Sequence, residues 1–215
     1  MTQQHKKPTV VIVDYGVGNL WSLLKAVHCF VPDAFISEEK EKIESADAII
    51  LPGVGAFKAG MDGLAVRGLI EPIQQAAKRG VPILGICLGA QLLLERGYEF
   101  GEHEGLGILQ GEVVRFPQLP EGVAIPAIGW QEVSPTEAPE AKALFSGLKK
   151  PFCYFVHSYI LKPTDPAVVL AETTYGGYTY CAAIGERNVV GTQFHPEKSG
   201  PVGLAILENF IKQIV

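Results

Sequence analysis

The most reactive arrangement in the sequence is one cysteine set between glycines. In Gly85-Ile86-Cys87-Leu88-Gly89-Ala90-Gln91 an apolar run enters, Cys87 has a glycine two positions away on each side, and helix-forming Leu88 and Leu92 leave. Small neighbours permit the tight strand-to-helix turn of a nucleophile elbow, which projects its central side chain clear of the sheet. The aligned N–H groups of a following helix favour a thiolate over a thiol, and a thiolate attacks an acyl carbon. Without that context, a lone cysteine flanked by glycines is a buried packing residue.

Thiolate attack on an amide needs a proton donor for the leaving nitrogen, a role in which a positioned histidine contributes about 10²–10⁴-fold. Of the five histidines, His195 stands out because Gln193-Phe194-His195-Pro196-Glu197 closes a β-rich run. Pro196 biases the residue before it towards extended backbone, where residues two apart share a face. Glu197 is therefore expected beside His195, completing a relay of nucleophile Cys87, base His195 and orienter Glu197. A tetrahedral intermediate also needs backbone N–H donors. Leu88 follows the nucleophile directly, and Gly53-Val54-Gly55 ends a neighbouring strand, where open α/β sheets put their sites. Alone, His-Pro-Glu is a common surface turn and the glycine pair an ordinary one; the elbow upstream gives both their meaning. Gly16-Val17-Gly18 is no dinucleotide fingerprint, since its third glycine would fall at Trp21, and no phosphate loop is present. His103 and His157 lack metal-ligand spacing; His103 reads as a solvated loop residue and His28 as helix surface.

Positioning these residues requires an α/β frame. Val10 to Val13, Ala48 to Leu51 and Val81 to Ile86 are apolar throughout, as strands covered on both faces are, which signals a parallel sheet. Between them Leu20, Leu23, Leu24, Val27 and Val31 recur at helical spacing, and the sequence predicts a helix over Leu64 to Lys78 capped by Gly80. After about Gly105 strand candidates crowd together: Gly111 to Phe116, Phe152 to Leu161, Val168 to Thr174 and Val189 to Phe194. They predict hairpins added to one edge of the sheet. Val202, Ile206, Phe210 and Ile214 mark a closing helix, while Pro117 to Pro126 and Ser134 to Pro139 read as loops. The 215 residues are 47% hydrophobic and 19% charged, which excludes a disordered or fibrous chain, and a net charge of −5 leaves no basic excess for nucleic acid. Four scattered cysteines, Cys29, Cys87, Cys153 and Cys181, form no C-x-x-C pair, so neither a zinc site nor a disulfide framework is indicated and a reducing cytosol fits best. No apolar run approaches the roughly 20 residues that cross a bilayer.

With Gly85-Ile86-Cys87-Leu88-Gly89 and His195-Pro196-Glu197 in place, the chain resembles the class I, or triad, glutamine amidotransferases over nearly its whole length after the first seven residues. Further segments are similar to the branch of that family serving histidine biosynthesis: Asp14-Tyr15-Gly16-Val17-Gly18-Asn19-Leu20, Pro52-Gly53-Val54-Gly55-Ala56-Phe57, Gly129-Trp130, Tyr154 to Tyr159, and His195 to Ser199. Relatives serving anthranilate or aminodeoxychorismate synthesis are expected to carry a second proline where Val54 stands here. The resemblance implies a flavodoxin-like α/β fold, a mostly parallel central sheet flanked by helices with added antiparallel strands. It implies one domain over residues 8–215 behind a short flexible extension over 1–7.

The resemblance also implies that Cys87 attacks the side-chain carboxamide of glutamine and that His195 protonates departing ammonia and then activates water to cleave the thioester. Leu88, Val54 and Gly53 would form the oxyanion hole. Gln91, Glu99, Ser158, Tyr159 and Gly55 would bind glutamine, without cofactor or metal. Gln91 lies one helical turn beyond Cys87, on the same face. Ammonia would pass to a cyclase subunit with a (β/α)₈ barrel in a heterodimer, with Asn19, Trp130, Tyr154 and Lys198 at positions that face it. By residue type alone Trp130 and Tyr154 read as core aromatics. Too few residues remain after the glutaminase fold for an ammonia-using domain, so the consumer is expected to be another chain. The rival readings are the glutaminase of a synthase making anthranilate, aminodeoxychorismate or pyridoxal phosphate, a cysteine peptidase or chaperone of related architecture, and a silent scaffold. A peptidase needs no carboxamide pocket around Gln91, and a scaffold has no use for all three triad residues.

Overall fold

The parallel strands form where the sequence is apolar on both faces. The computed structural model describes residues 8–214, so the extension expected over residues 1–7 lies outside the described residues. Strands β1 (Val10–Val13), β2 (Phe35–Ser37), β3 (Ala48–Leu51) and β4 (Ile83–Ile86) pair in parallel in the order β2-β1-β3-β4. Every residue of β1, β3 and β4 is buried. Alternate side chains feed two cores, as the two-residue strand period requires. Val10, Ile12, Ile50 and Leu84 face α1 (Leu20–Val27) and the C-terminal helix, whereas Val11, Val13, Ile49 and Ile83 face a second helical layer. That layer is built from α2 (Lys40–Glu44), α3 (Phe57–Val66), α4 (Ile70–Lys78) and the short α5 (Leu88–Leu92), and Ile43, Phe57, Leu64, Ile73 and Leu88 supply its buried side chains.

The helix expected over Leu64 to Lys78 is two helices. Gly68 takes a left-handed φ of 65°, its N–H donates to the Ala65 carbonyl, and the Leu69 N–H donates to the Leu64 carbonyl, the Schellman pattern that ends α3. Gly80 ends α4 in the same way, as expected. Helix α1 also stops earlier than its apolar stripe, at Val27, while Val31 remains buried beyond it.

The second half extends the sheet with antiparallel strands. It comprises β5 (Arg96–Gly97), β6 (His103–Glu104), β7 (Gly111–Arg115), β8 (Ala127–Pro135), α6 (Pro139–Leu144), β9 (Phe152–His157), β10 (Tyr159–Pro163), β11 (Val169–Tyr175), β12 (Tyr178–Glu186), β13 (Val189–Thr192) and α7 (Gly200–Ile211). The run expected as one strand over Phe152 to Leu161 changes partner at Ser158, with β9 pairing β8 and β10 pairing β7 and β12. Ser134 and Pro135, expected in a loop, close β8. His103, expected in a solvated loop, lies in β6 with its Nε2 atom buried. The last strand, β13, returns to the parallel half and pairs with β4. Ile206 and Phe210 of α7 are buried on the first core, as the closing-helix pattern predicts.

Glycine is required at the elbow for space. A Cβ at Gly89 would overlap the Leu51 carbonyl oxygen, and one at Gly85 would sit 2.8 Å from the Ala90 backbone. Forcing apart backbone of this kind costs about 1–3 kcal/mol. The Gly89→Ala variant is therefore expected to unfold at a lower urea midpoint with an unchanged slope; an unchanged midpoint would show that β3 and α5 separate freely.

Candidate active site

Two neighbouring strand ends bring the reactive residues together. Strands β4 and β13 run in parallel with Ile86 opposite Thr192, so both release the chain at the same end of the sheet. Cys87 follows β4 at once and its N–H donates to the Thr192 carbonyl at 2.7 Å, while His195 follows three residues after β13. Its N–H donates to the Tyr154 carbonyl at 2.9 Å, and its own carbonyl accepts from the Ser199 hydroxyl at 2.7 Å.

Cys87 has φ 53° and ψ −108°, a conformation that costs a non-glycine residue of order 1–3 kcal/mol and that only the surrounding packing can hold. The elbow is present, but its side chain does not stand exposed. Cys87 is 6% exposed and forms part of the wall of a cavity of about 460 Å³. The same cavity is lined by Val54, Gly55, Leu88, Gln91, Glu99, Ser158 and Tyr159, which gathers the residues expected to bind glutamine and two expected oxyanion donors. Gly53 is not in that lining. It lies under the glycine turn, where a Cβ would overlap the Tyr15 hydroxyl and Leu88. The Tyr15 hydroxyl donates to the Pro52 carbonyl and so pins the start of the turn; burial, with Cys87 adding to it, raises the Tyr15 phenol far above its ordinary value. Among the described residues no group accepts a hydrogen bond from the N–H of Gly53, Val54 or Gly55, which leaves these donors uncommitted.

His195 is 2% exposed and its Nδ1 lies 2.8 Å from Glu197 Oε1. The route to that contact differs from the expectation. Pro196–Lys198 is a 3₁₀ turn that swings Glu197 back under the ring, so the pair does not rest on a shared extended face. Burial alone would depress the His195 pKa, but the nearby Cys87 sulfur and the hydrogen bond and charge of Glu197 outweigh it and raise the pKa to about 9. Nε2 is buried with no partner of hydrogen-bonding geometry, so the coupling to Cys87 reflects a nearby sulfur and not a closed hydrogen bond. At neutral pH the ring therefore holds a proton and aims an unused donor at the site. Burial pushes the thiols of Cys153 and Cys181 up to about 12.

Two site residues escaped the sequence reasoning. Gln193, fully buried, donates from Nε2 to Cys87 Sγ at 3.8 Å and accepts from Gln91 Nε2 at 3.1 Å. His157 lines the cavity with its Nδ1 2.8 Å from the Tyr159 carbonyl. The signal for Gln193 was its place two residues before His195; no spacing marks His157. Glu99 has one oxygen occupied, since Oε2 accepts from the Phe57 N–H at 2.8 Å and caps α3.

Trp130 and Tyr154 are not core aromatics. They are cross-strand partners on β8 and β9, packed edge to face at 6.2 Å, with Trp130 54% exposed and the Lys198 ammonium 5.8 Å above the Tyr154 ring. Asn19 is exposed and caps α1. Among the described residues no cluster of three or more His, Cys, Asp or Glu side chains could hold a metal ion, and no helix is long and apolar enough to cross a membrane.

Residues 11–214 match the family described as Glutamine amidotransferase class-I, and the chain belongs to that family. Solved structures agree on the fold: one described as a glutamine amidotransferase superposes with a TM-score of 0.71 at 21% identity, covering 93% of this chain and 98% of the other. The PurLQS structure from Thermotoga maritima superposes with a TM-score of 0.69 at 20% identity, covering 98% of this chain and 100% of that one.

Within the family, the chain belongs with the HisH subunits of imidazole glycerol phosphate synthase. It is 45% identical to subunit HisH 1 of Legionella pneumophila (strain Lens) over 212 residues, 95% of this chain and 99% of the relative. It is 48% identical to subunit HisH of Aquifex aeolicus (strain VF5) over 202 residues, 93% and 94% of the two chains.

Proposed function

We propose that this chain is the glutaminase subunit of an imidazole glycerol phosphate synthase, hydrolysing glutamine to glutamate and ammonia through a thioester on Cys87. The observation that carries the reading is the meeting of Cys87 with the His195–Glu197 pair beside a cavity lined by Gln91, Glu99 and Tyr159. The Cys87 sulfur attacks the carboxamide carbon, and charge develops on its oxygen. Leu88 N–H at the start of α5 and the uncommitted N–H groups of the Gly53 to Gly55 turn receive that charge. His195, charged at neutral pH, gives its proton to the departing nitrogen, which leaves as ammonia. The neutral ring then takes a proton from water as the water attacks the thioester; the acyl–sulfur bond breaks, glutamate leaves, and the sulfur stands again without a proton beside a charged His195. Glu197 holds Nδ1 throughout, so the reactive proton stays on Nε2.

Ammonia then passes to a cyclase subunit with a (β/α)₈ barrel, bound as a heterodimer in the cytoplasm. The cyclase uses it to make imidazole glycerol phosphate and an aminoimidazole carboxamide ribotide in histidine biosynthesis. The cluster of exposed Trp130 and Lys198 about half-buried Tyr154, joined to His195 through the Tyr154 carbonyl, supports this docking face, and we assign exposed Asn19 to it as well.

The test compares glutamine hydrolysis by the chain alone and with its barrel partner. One missing oxyanion donor costs about 10²–10³-fold. The isolated chain is expected to be slower by about 100-fold, because the Gly53 to Gly55 donors need partner and ligand to turn inward. Equal rates would remove that claim, and no hydrolysis in either preparation would remove the function.

A further inference from the structure

A hydrogen-bonded chain of buried side chains runs from β8 to the glutamine pocket. Gln131 Oε1 lies 3.0 Å from the Tyr180 hydroxyl and 3.3 Å from the Thr173 hydroxyl; the Tyr180 hydroxyl lies 3.0 Å from His157 Nε2; and His157 Nδ1 lies 2.8 Å from the Tyr159 carbonyl. That carbonyl also accepts from Gln91 Nε2 at 3.1 Å.

The protons admit one consistent arrangement. With Gln131 Oε1 towards Tyr180, the tyrosine donates to it and must accept from His157 Nε2. His157 Nδ1 must also donate, because it faces a carbonyl, so the ring would be charged. Burial opposes that charge and lowers the His157 pKa to about 4. In the same arrangement Gln131 Nε2 is buried without a partner, and the single Thr173 proton is claimed both by Gln131 and by the Glu132 carbonyl at 2.8 Å. Turning the Gln131 carboxamide over removes the charged ring and the double claim on the Thr173 proton, and leaves a buried carbonyl oxygen in place of a buried N–H without a partner. Its N–H groups then donate to Tyr180 and Thr173, Thr173 donates to Glu132, Tyr180 donates to His157 Nε2, and neutral His157 donates from Nδ1 to Tyr159. Amide orientation and imidazole tautomer follow from such bookkeeping of donors and acceptors.

We propose that Gln131, Tyr180 and His157 are positioning residues for glutamine: their directed chain of hydrogen bonds fixes the Tyr159 carbonyl, which with Gln193 fixes Gln91. The consequence is at Gln91. Its Nε2 is engaged by Tyr159 and Gln193, and no described group donates to its Oε1, so the group it offers a ligand in the cavity is a hydrogen-bond acceptor. An acceptor there suits an N–H of glutamine, and a ligand with oxygen in place of that N–H would meet two opposed acceptors. Without the Tyr180 proton, His157 is free to adopt the other tautomer, whose Nδ1 lone pair faces the Tyr159 carbonyl and pushes it from Gln91.

The inference rests on the glutaminase reading, and two measurements on the partner-bound chain separate them. In the wild-type complex, ¹⁵N spectra at pH 7 are expected to show His157 neutral with the proton on Nδ1; a proton on Nε2, or a charged ring, overturns the chain whatever the activity. In the glutaminase assay Tyr180→Phe is expected to raise KM for glutamine about fivefold with kcat changed less than twofold, the size of one neutral hydrogen bond. His157→Asn, which keeps a donor near the Nδ1 position, is expected to stay closer to wild-type KM than His157→Leu. An unchanged KM in Tyr180→Phe, or equal effects of the two His157 variants, overturns the positioning role. A wild-type complex inert to glutamine would instead refute the function itself and leave the spectra to decide the chain.

Discussion

Replacing Cys87 with alanine is expected to lower glutamine-dependent synthesis by the complex at least about 10⁴-fold, the scale on which removing the nucleophile of a triad acts. Synthesis from added ammonium salts should survive within a factor of about two, because the sulfur serves only the release of ammonia. The substitution removes one buried atom from the wall of a cavity and leaves Gly85 and Gly89 to form the elbow, so the fold and docking face should persist. Loss of both activities would contradict the division of labour between the subunits. The same variant should lower the His195 pKa from about 9, since it removes the influence of the nearby Cys87 sulfur and leaves burial opposed by Glu197 alone. A histidine titration that does not move would mean that the sulfur and the ring do not interact.

Glu197→Gln is expected to cost about 10³–10⁴-fold in glutamine hydrolysis, as loss of the orienting carboxylate does in other triads. The replacement keeps the volume but can present an N–H to His195 Nδ1, which selects the wrong tautomer and removes the proton that departing nitrogen needs. It also leaves a pH signature in stability. The folded-state pKa of His195, about 9, lies above its unfolded value near 6.5, so the stabilisation from its charged form is fully present below about pH 6.5 and is lost as pH rises through 9. Glu197 is one source of that rise. The stability gap between wild type and Glu197→Gln, measured by urea unfolding from pH 6 to 10, should therefore be widest at the acid end and narrow towards pH 9. A gap independent of pH would place the effect of Glu197 in packing.

What could be read from the sequence follows from how local each signal is. The apolar strands, the elbow and the His-Pro-Glu segment are each set by a few adjacent residues, and the fold keeps all of them. The elbow's exposure could not be read in this way: β9 and β10, from a distant part of the chain, close over Cys87 and form the far wall of its cavity. The split between α3 and α4 was local after all, because Gly68 inside an apolar helical pattern is a helix C-cap wherever its φ turns positive. Trp130 illustrates the opposite limit. Residue type alone places a tryptophan in the core, but the register of β8 against β9 turns it outward beside Tyr154 and Lys198. His157 was not legible, and Gln193 was marked only by its place before His195, because their roles depend on partners at Tyr180, Tyr159 and Gln91, which only the assembled sheet brings near.

The most direct test is labelling with an electrophilic glutamine analogue on the partner-bound chain, read by peptide mass spectrometry. The account predicts one adduct per chain, on the peptide containing Cys87, slowed by competing glutamine and absent from Cys87→Ala. An adduct on Cys29, Cys153 or Cys181 in place of Cys87, or labelling of Cys87 that glutamine does not slow, would contradict it.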